Sequence, residues 1–160
     1  MKYFLICLIG FAFVGCSMCK NAMREMVQEE LTKSGEKHYF IEGQAIAPYT
    51  PAIGVGGLLF VSGQIGMKPG SSELAGPDFE SETRQVLDNI IAILKNAGFD
   101  ASDVVQCTVY LKDVNDFAKM NSVYSTYFQP GRFPTRATVE VSNLVRNARI
   151  EISAVAYKAR

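Results

Sequence analysis

The chain has 160 residues, 48% of them hydrophobic and 20% charged, which allows one domain with a real core and excludes a disordered chain. Its 16 basic and 16 acidic residues cancel, and no cluster of Lys and Arg offers a nucleic-acid footprint. His38 is the single histidine, and Cys7, Cys16 and Cys19 all sit near the start, so zinc clusters, a disulfide framework and His-based triads lack their usual residues.

The first residues read as an address. Lys2 is followed by an uncharged run from Tyr3 to Val14. Spanning a bilayer takes about 20 apolar residues, so the run is too short for an ordinary membrane helix and has the size of a secretory hydrophobic region. It ends in "FVGC", Phe13 to Cys16, which resembles a bacterial lipobox. That resemblance implies cleavage before Cys16 and lipid on its thiol. Gly15 suits the pattern, whereas Phe13 stands where leucine is preferred. Cleavage at another point, or a retained N-terminal helix, are the alternatives. The expected organisation is a signal peptide over 1–15, a lipidated cysteine and tether over 16–37, and a domain over 38–160. Such a protein would sit at the bacterial cell envelope, anchored to a membrane, with its domain outside the cytoplasm. Met23, Met26, Val27 and Leu31 have helical spacing, but Ser34-Gly35-Glu36-Lys37 breaks the pattern and favours a tether.

In the domain, Gly56-Gly57 between Val55 and Leu58 predicts a two-residue hairpin turn, because a type I′ turn needs positive φ at both positions. Leu59 stands where a third dinucleotide-binding glycine would be needed. A strand follows over 58–64, then a loop over 67–78. From Phe79 the pattern becomes helical, with Val86, Leu87, Ile90, Ile93, Leu94 and Ala97 at three- and four-residue steps. Glu80 and Glu82 suit the positive end of this helix, Lys95 suits the negative end, and Gly98 stops it. A strand over 104–111 puts Val105, Cys107, Val109 and Leu111 on one side, with Cys107 as a small core residue. Asn115 is the expected cap of a second helix whose stripe is Phe117, Met120, Tyr124, Tyr127 and Phe128, ended by Pro130-Gly131. "RFPTRATVEV", Arg132 to Val141, is a strand with Arg136 and Thr138 on one side; a last strand covers 148–158. Two helices can cover one face of a sheet of about six strands, leaving the other wetted or pressed against another subunit. Arg136, Thr138, Glu151 and Ser153 are expected on that uncovered face.

Several stretches together resemble the RidA/YjgF (reactive intermediate deaminase) family. They are "APYTPAIGVGGLLFVSGQIG", "TRQVLDNIIAILKNAG", "VYLKDVNDFAKMNSVYSTYF", "FPTRATVEV" and "RIEISAVA", in the family's order over 40–156. The resemblance implies an α+β, chorismate-mutase-like fold with two helices on one face of the sheet. It also implies a homotrimer with ligand sites between subunits. The arginine of the family's P-x-R strand matches Arg136, and the carboxylate of its last strand matches Glu151. Tyr49, Gly63, Asn121 and Thr138 match further site positions. Thr50, Val145 and Ser153 depart from the family's usual serine, proline and acidic residue.

The resemblance implies hydrolysis of reactive 2-imino and 2-enamino acids to 2-keto acids and ammonia, with no metal or organic cofactor. A guanidinium grips a carboxylate through two parallel hydrogen bonds, which suits Arg136 to hold the substrate. A glutamate, with a pKa of about 4.3, is ionised near neutrality and suits Glu151 to activate water. Tyr49 can donate a hydrogen bond, and the backbone at Gly63 and Thr138 can meet the carboxylate or nitrogen. Other readings stay open here. Arg136 and Glu151 are also the residues of an ordinary cross-strand ion pair. Tyr49 suits interface packing, and Asn121 suits a cap. An anchored trimer that binds small 2-keto carboxylates without turnover is the alternative function. Nucleic acid is not expected as a partner.

Overall fold

The computed structural model describes residues 37–40 and 48–159, together with Met26. The expected signal peptide, Cys16 and nearly all of the tether lie outside the described residues. The described strands are β1 (His38–Phe40), β2 (Ala52–Val55), β3 (Leu58–Ile65), β4 (Val104–Leu111), β5 (Thr135–Glu140) and β6 (Ile150–Tyr157). The α-helices with described bounds are α1 (Phe79–Asn96), between β3 and β4, and α2 (Phe117–Tyr124), between β4 and β5. The strands form one six-stranded sheet in the order β1-β2-β3-β6-β4-β5. Only β4 and β5 pair in parallel; every other pairing is antiparallel. This is the expected α+β arrangement.

Local chemistry explains the elements. Gly56 and Gly57 have φ of 57° and 84°, so the hairpin between β2 and β3 uses a conformation that a side chain would strain. At the start of α1 the Asp78 carboxylate accepts a 2.7 Å hydrogen bond from the Ser81 N–H, satisfying a free helical donor. Gly98 lies beyond the other end at φ 80°, as its place after the apolar stripe predicted. α2 is shorter than its stripe suggested: Tyr127 and Phe128 continue beyond the helix. Asn115 is not its cap. Its N–H is instead bound by the Asp113 carboxylate at 2.9 Å, within a 3-10 turn over Val114–Asp116 that leads into α2. The short carboxylate competes for nearby backbone donors and starts the turn two residues before the asparagine.

The core lies between the helices and one face of the sheet. Leu59, Val109, Leu111, Ile150, Ile152 and Ala156 are fully buried there with Val86 and Leu94 of α1. Fully burying each such aliphatic side chain contributes about 1.5–3 kcal/mol, so the central strands hold the sheet. On β4, Val104 rather than Val105 enters the core, because a register irregularity lies between Val104 and Gln106. Extending strict alternation back to Val105 therefore put the wrong residue inside. The other face carries Phe60, Val105, Val139 and Tyr157, each 43–48% exposed. It has apolar side chains, and neither α1 nor α2 covers them.

The register corrects the expected placement of the arginine. Arg136 pairs beside Cys107, and Thr138 beside Val109, so both lie on the helix side of the sheet. Glu151 pairs beside Tyr110 and Ser153 beside Thr108, on the opposite side. The expected common face for all four residues is therefore wrong. β5 inverts the usual pattern: Arg136, Thr138 and Glu140 turn toward the helices and Ala137 and Val139 turn outward. Polarity alone misplaces such an edge strand, because a one-residue change of register exchanges its two faces.

One buried charge ties the layers together. Glu82 is only 1% exposed, and its carboxylate accepts from the Arg149 N–H at 2.8 Å and from Arg149 Nε at 2.7 Å. The same guanidinium donates to the carbonyls of Pro77 and Asp78 at 3.1 and 2.9 Å. Glu82 thus joins α1, the preceding loop and the entry to β6, beyond the role in the helix dipole read from its position. Removing one partner of a buried pair costs about 3–5 kcal/mol because the other charge is stranded. Arg149→Met is expected to lower unfolding stability by about 3 kcal/mol in urea titration, the low end because the guanidinium is partly exposed.

Candidate functional site

Two groups of candidate residues lie on opposite sides of the sheet. On the helix side, one face of α2 covers Arg136. Met120 and Asn121 lie three and four residues after Phe117, and Tyr124 lies four and three residues after them, which stacks all four along one helical face. Arg136 Nη2 donates to Asn121 Oδ1 at 2.7 Å, and Nη1 makes a weak 3.7 Å contact with Met120 Sδ. The guanidinium carbon lies over the Tyr124 ring at 4.7 Å from its centroid and over the Phe117 ring at 5.6 Å. Aromatic faces attract a cation without accepting its in-plane hydrogen bonds. Among the described residues no carboxylate forms an ion pair with Arg136. Its half-buried positive charge is therefore not neutralised by an acidic side chain among the described residues.

Thr138 lies beside Arg136 along β5, and its Oγ1 is buried with no hydrogen-bonding partner among the described residues. Cys107 and Tyr124 lie deeper. Burial pushes the Cys107 thiol up from its ordinary pKa, partly opposed by the neighbouring Tyr124 hydroxyl and the Arg136 charge. Burial also pushes the Tyr124 hydroxyl up, and it makes no well-formed hydrogen bond with a described residue. Neither group is poised to ionise near neutral pH.

On the other side, Glu151 rests against Gly63. A Cβ added at Gly63 would lie 2.0 Å from Glu151 Oε1, so only glycine leaves space for the carboxylate in this position. Gly63 falls within the register irregularity between Val61 and Gln64, where β3 bends against β6. Tyr49 is 38% exposed on the segment before β2. That segment is held to β3 beside Gly63: Ser62 donates from Oγ to Thr50 O at 2.7 Å and from its N–H to Pro51 O at 2.9 Å. The Glu151 carboxylate makes no hydrogen bond or ion pair with a described residue, and burial raises its pKa.

The candidates thus divide into two half-sites: Arg136, Asn121 and Thr138 lie on one side, Glu151 and Gly63 meet on the other, and Tyr49 lies on the segment tied to β3 beside Gly63. The alternative of a direct Arg136–Glu151 ion pair within one chain is excluded by their opposite faces. Sequence reading named Asn121 but missed its bond to Arg136 and the part of Phe117 and Tyr124. The helical spacing of these residues opposite the arginine strand was the available signal.

The raised pKa of Glu151 has a defined linkage. Its folded value lies above the unfolded one, so the folded state holds the proton more tightly and loses stability as pH rises between the two values. Glu151→Gln is therefore expected to melt at a higher temperature than the parent at pH 7. The difference should shrink toward zero below about pH 4, where the unfolded carboxyl is also protonated. Thermal melts at both pH values check it.

Comparison with known proteins identifies the family. The pattern of the Endoribonuclease L-PSP family matches residues 41–158. A RutC family protein of Pyrococcus horikoshii is 52% identical over 113 residues, 71% of this chain and 89% of the relative. The 2-iminobutanoate/2-iminopropanoate deaminase of Mus musculus is 45% identical over 114 residues, 71% of this chain and 84% of the relative. The crystal structure of E. coli TdcF with bound serine superposes with a TM-score of 0.69 at 35% identity, covering 74% of this chain and 94% of TdcF. That of YyfA, a Rid family protein of Yersinia pestis, gives a TM-score of 0.73 at 39% identity, with coverage of 77% and 100%. The chain belongs to the Endoribonuclease L-PSP family, the family also known as RidA/YjgF.

Proposed function

We propose that the protein hydrolyses reactive 2-imino and 2-enamino acids to 2-keto acids and ammonia, in sites built between copies of a homotrimer. The observation that carries the reading is the guanidinium of Arg136, shielded by rings and an amide yet without an acidic partner among the described residues. Such a group suits a small anion, and a 2-imino acid carries its carboxylate beside the reactive carbon. The mouse relative is named for this chemistry, and TdcF, named with bound serine, holds a small amino acid. The family's endoribonuclease description fits less well, because the 16 basic and 16 acidic residues give little net attraction for a phosphate backbone.

In this reading Arg136 binds the substrate carboxylate and Asn121 holds the guanidinium in plane. Glu151 takes a proton from water as the water oxygen bonds to the imine carbon and the C=N electrons move to nitrogen. That proton passes to the nitrogen, giving a carbon that bears a hydroxyl and an amino group; Glu151 then carries the hydroxyl proton to the nitrogen as the carbonyl forms, the C–N bond breaks and ammonia leaves. Desolvation makes Glu151 a stronger base than an ordinary carboxylate. Gly63 seats that carboxylate, Tyr49 lies at the rim, and Thr138 lies beside the bound anion. Imines already react with water, so orientation and one base supply enough acceleration.

Opposite faces keep Arg136 and Glu151 of one chain apart, which is the reason for a shared site. The apolar side chains Phe60, Val105, Val139 and Tyr157 suit the open face to a second copy. We also propose that Cys16 is lipidated and holds the trimer to a membrane at the cell envelope. The support is the sequence pattern of residues 1–16.

The full chain, purified in mild detergent, is expected to accelerate decay of 2-iminopropanoate to pyruvate. Arg136→Lys should lose at least about a hundredfold in kcat/KM, since an ammonium cannot reproduce the two parallel bonds. Binding of 2-ketobutyrate with no imine turnover would instead favour a non-catalytic carboxylate binder. Co-expressing Arg136→Ala with Glu151→Gln is expected to restore about a quarter of parental activity, because random assembly pairs the two intact residues in one site in four. No restored activity in mixed trimers would refute the shared site. Palmitate labelling that disappears in Cys16→Ser checks the anchor.

A further inference from the structure

We propose that Tyr124 and Phe117 are positioning residues that hold the face of the Arg136 guanidinium, so that its in-plane donors stay free and aimed at a carboxylate. The inference rests on the reading of Arg136 as an anion-binding residue and adds the device that sets its orientation.

A guanidinium has two kinds of surface. Its edge carries five N–H donors and its faces carry none. A carboxylate placed in the same chain would occupy the edge and compete with substrate. Here the edge makes one strong bond, from Nη2 to Asn121 Oδ1 at 2.7 Å, and one weak contact with Met120 Sδ at 3.7 Å. The rings instead meet the cation at 4.7 and 5.6 Å, within the range of cation–π attraction. They offset part of the cost of withdrawing the charge from water and leave edge donors unused.

Tyr124 is built to hold still. It is 3% exposed, and its ring packs on Phe128 with centroids 4.7 Å apart. Its hydroxyl faces inward, beside Cys107, and makes no well-formed hydrogen bond with a described residue. The ring, not the hydroxyl, therefore serves Arg136. Phe117 is 42% exposed and lies over the same cation, while Asn121 sits between the two aromatic positions on the same face of α2. A single helical face thus supplies both the ring contacts and the in-plane anchor.

Substrate and transition state both carry the carboxylate, so loosening Arg136 weakens both equally. The expected signature is a change in KM with little change in kcat. In the full chain, Tyr124→Leu should raise KM for 2-iminopropanoate on the order of tenfold while kcat changes less than about twofold. Tyr124→Phe, which keeps the ring, should recover KM to within about threefold. NMR of arginine-labelled protein gives a readout independent of catalysis: rotation about the Arg136 Nε–Cζ bond should be slow in the parent and Tyr124→Phe, and fast in Tyr124→Leu. Should Tyr124→Leu not fold, Phe117→Leu, at a partly exposed position, takes its place in both measurements. A folded leucine variant with parental KM and slow rotation would overturn the proposal. So would a Tyr124→Phe loss as large as that of Tyr124→Leu, which would assign the effect to the hydroxyl. Absence of imine turnover in the parent would defeat the deaminase reading alone, because rotation about the Arg136 Nε–Cζ bond still tests the clamp without turnover.

Discussion

The parallel pairing of β5 with β4 is the constraint on which the candidate site depends. Cys107 opposite Arg136 turns the arginine toward α2, where an amide and two rings receive it. A shift of one residue would send Arg136 to the open face and bring Ala137 under the helix. The antiparallel pairing of β6 on the other side of β4 turns Glu151 away from the helices. One central strand therefore sets both half-sites, and it sets them apart. Its own Cys107, Val109 and Leu111 are anchored by full burial, so its register resists slipping.

The molecule treats its charges in two ways. Glu82 and Arg149 satisfy one another and nearby backbone, and join helix, loop and strand. Arg136 and Glu151 have no such mutual neutralisation. The first is shielded by polarizable rings, and the second is desolvated beside a glycine that leaves it room. Leaving either group without an opposite charge sacrifices stability that a closed ion pair or an apolar residue would supply. That arrangement makes sense where another molecule completes the electrostatics, and it distinguishes the two half-sites from the structural pair at Glu82.

Much of the fold was legible because its strongest local signals agreed with its packing. The apolar spacing of α1, the two glycines of the hairpin, and the alternating runs of β4 and β6 each have a local cause. Tertiary pairing overruled alternation at Val105 and inverted the polarity expected of β5. Glu82 also misled, since a carboxylate in a first helical turn is ordinarily solvated; its burial follows from Arg149, distant in sequence but adjacent in space. Among the site candidates, residue identities came through the family-like motifs, whereas their division between opposite faces did not.

By itself the sequence determined which segments are extended or helical, where the chain turns, and which side chains carry the relevant chemistry. Those properties follow from backbone preferences and side-chain spacing within a few residues. Only the tertiary structure decided that Arg136 meets Asn121, Phe117 and Tyr124, that Gly63 receives Glu151, and that the two charged residues lie on opposite sides. Each depends on register between distant strands, and a strand's two-residue period makes every such face a question of pairing rather than composition.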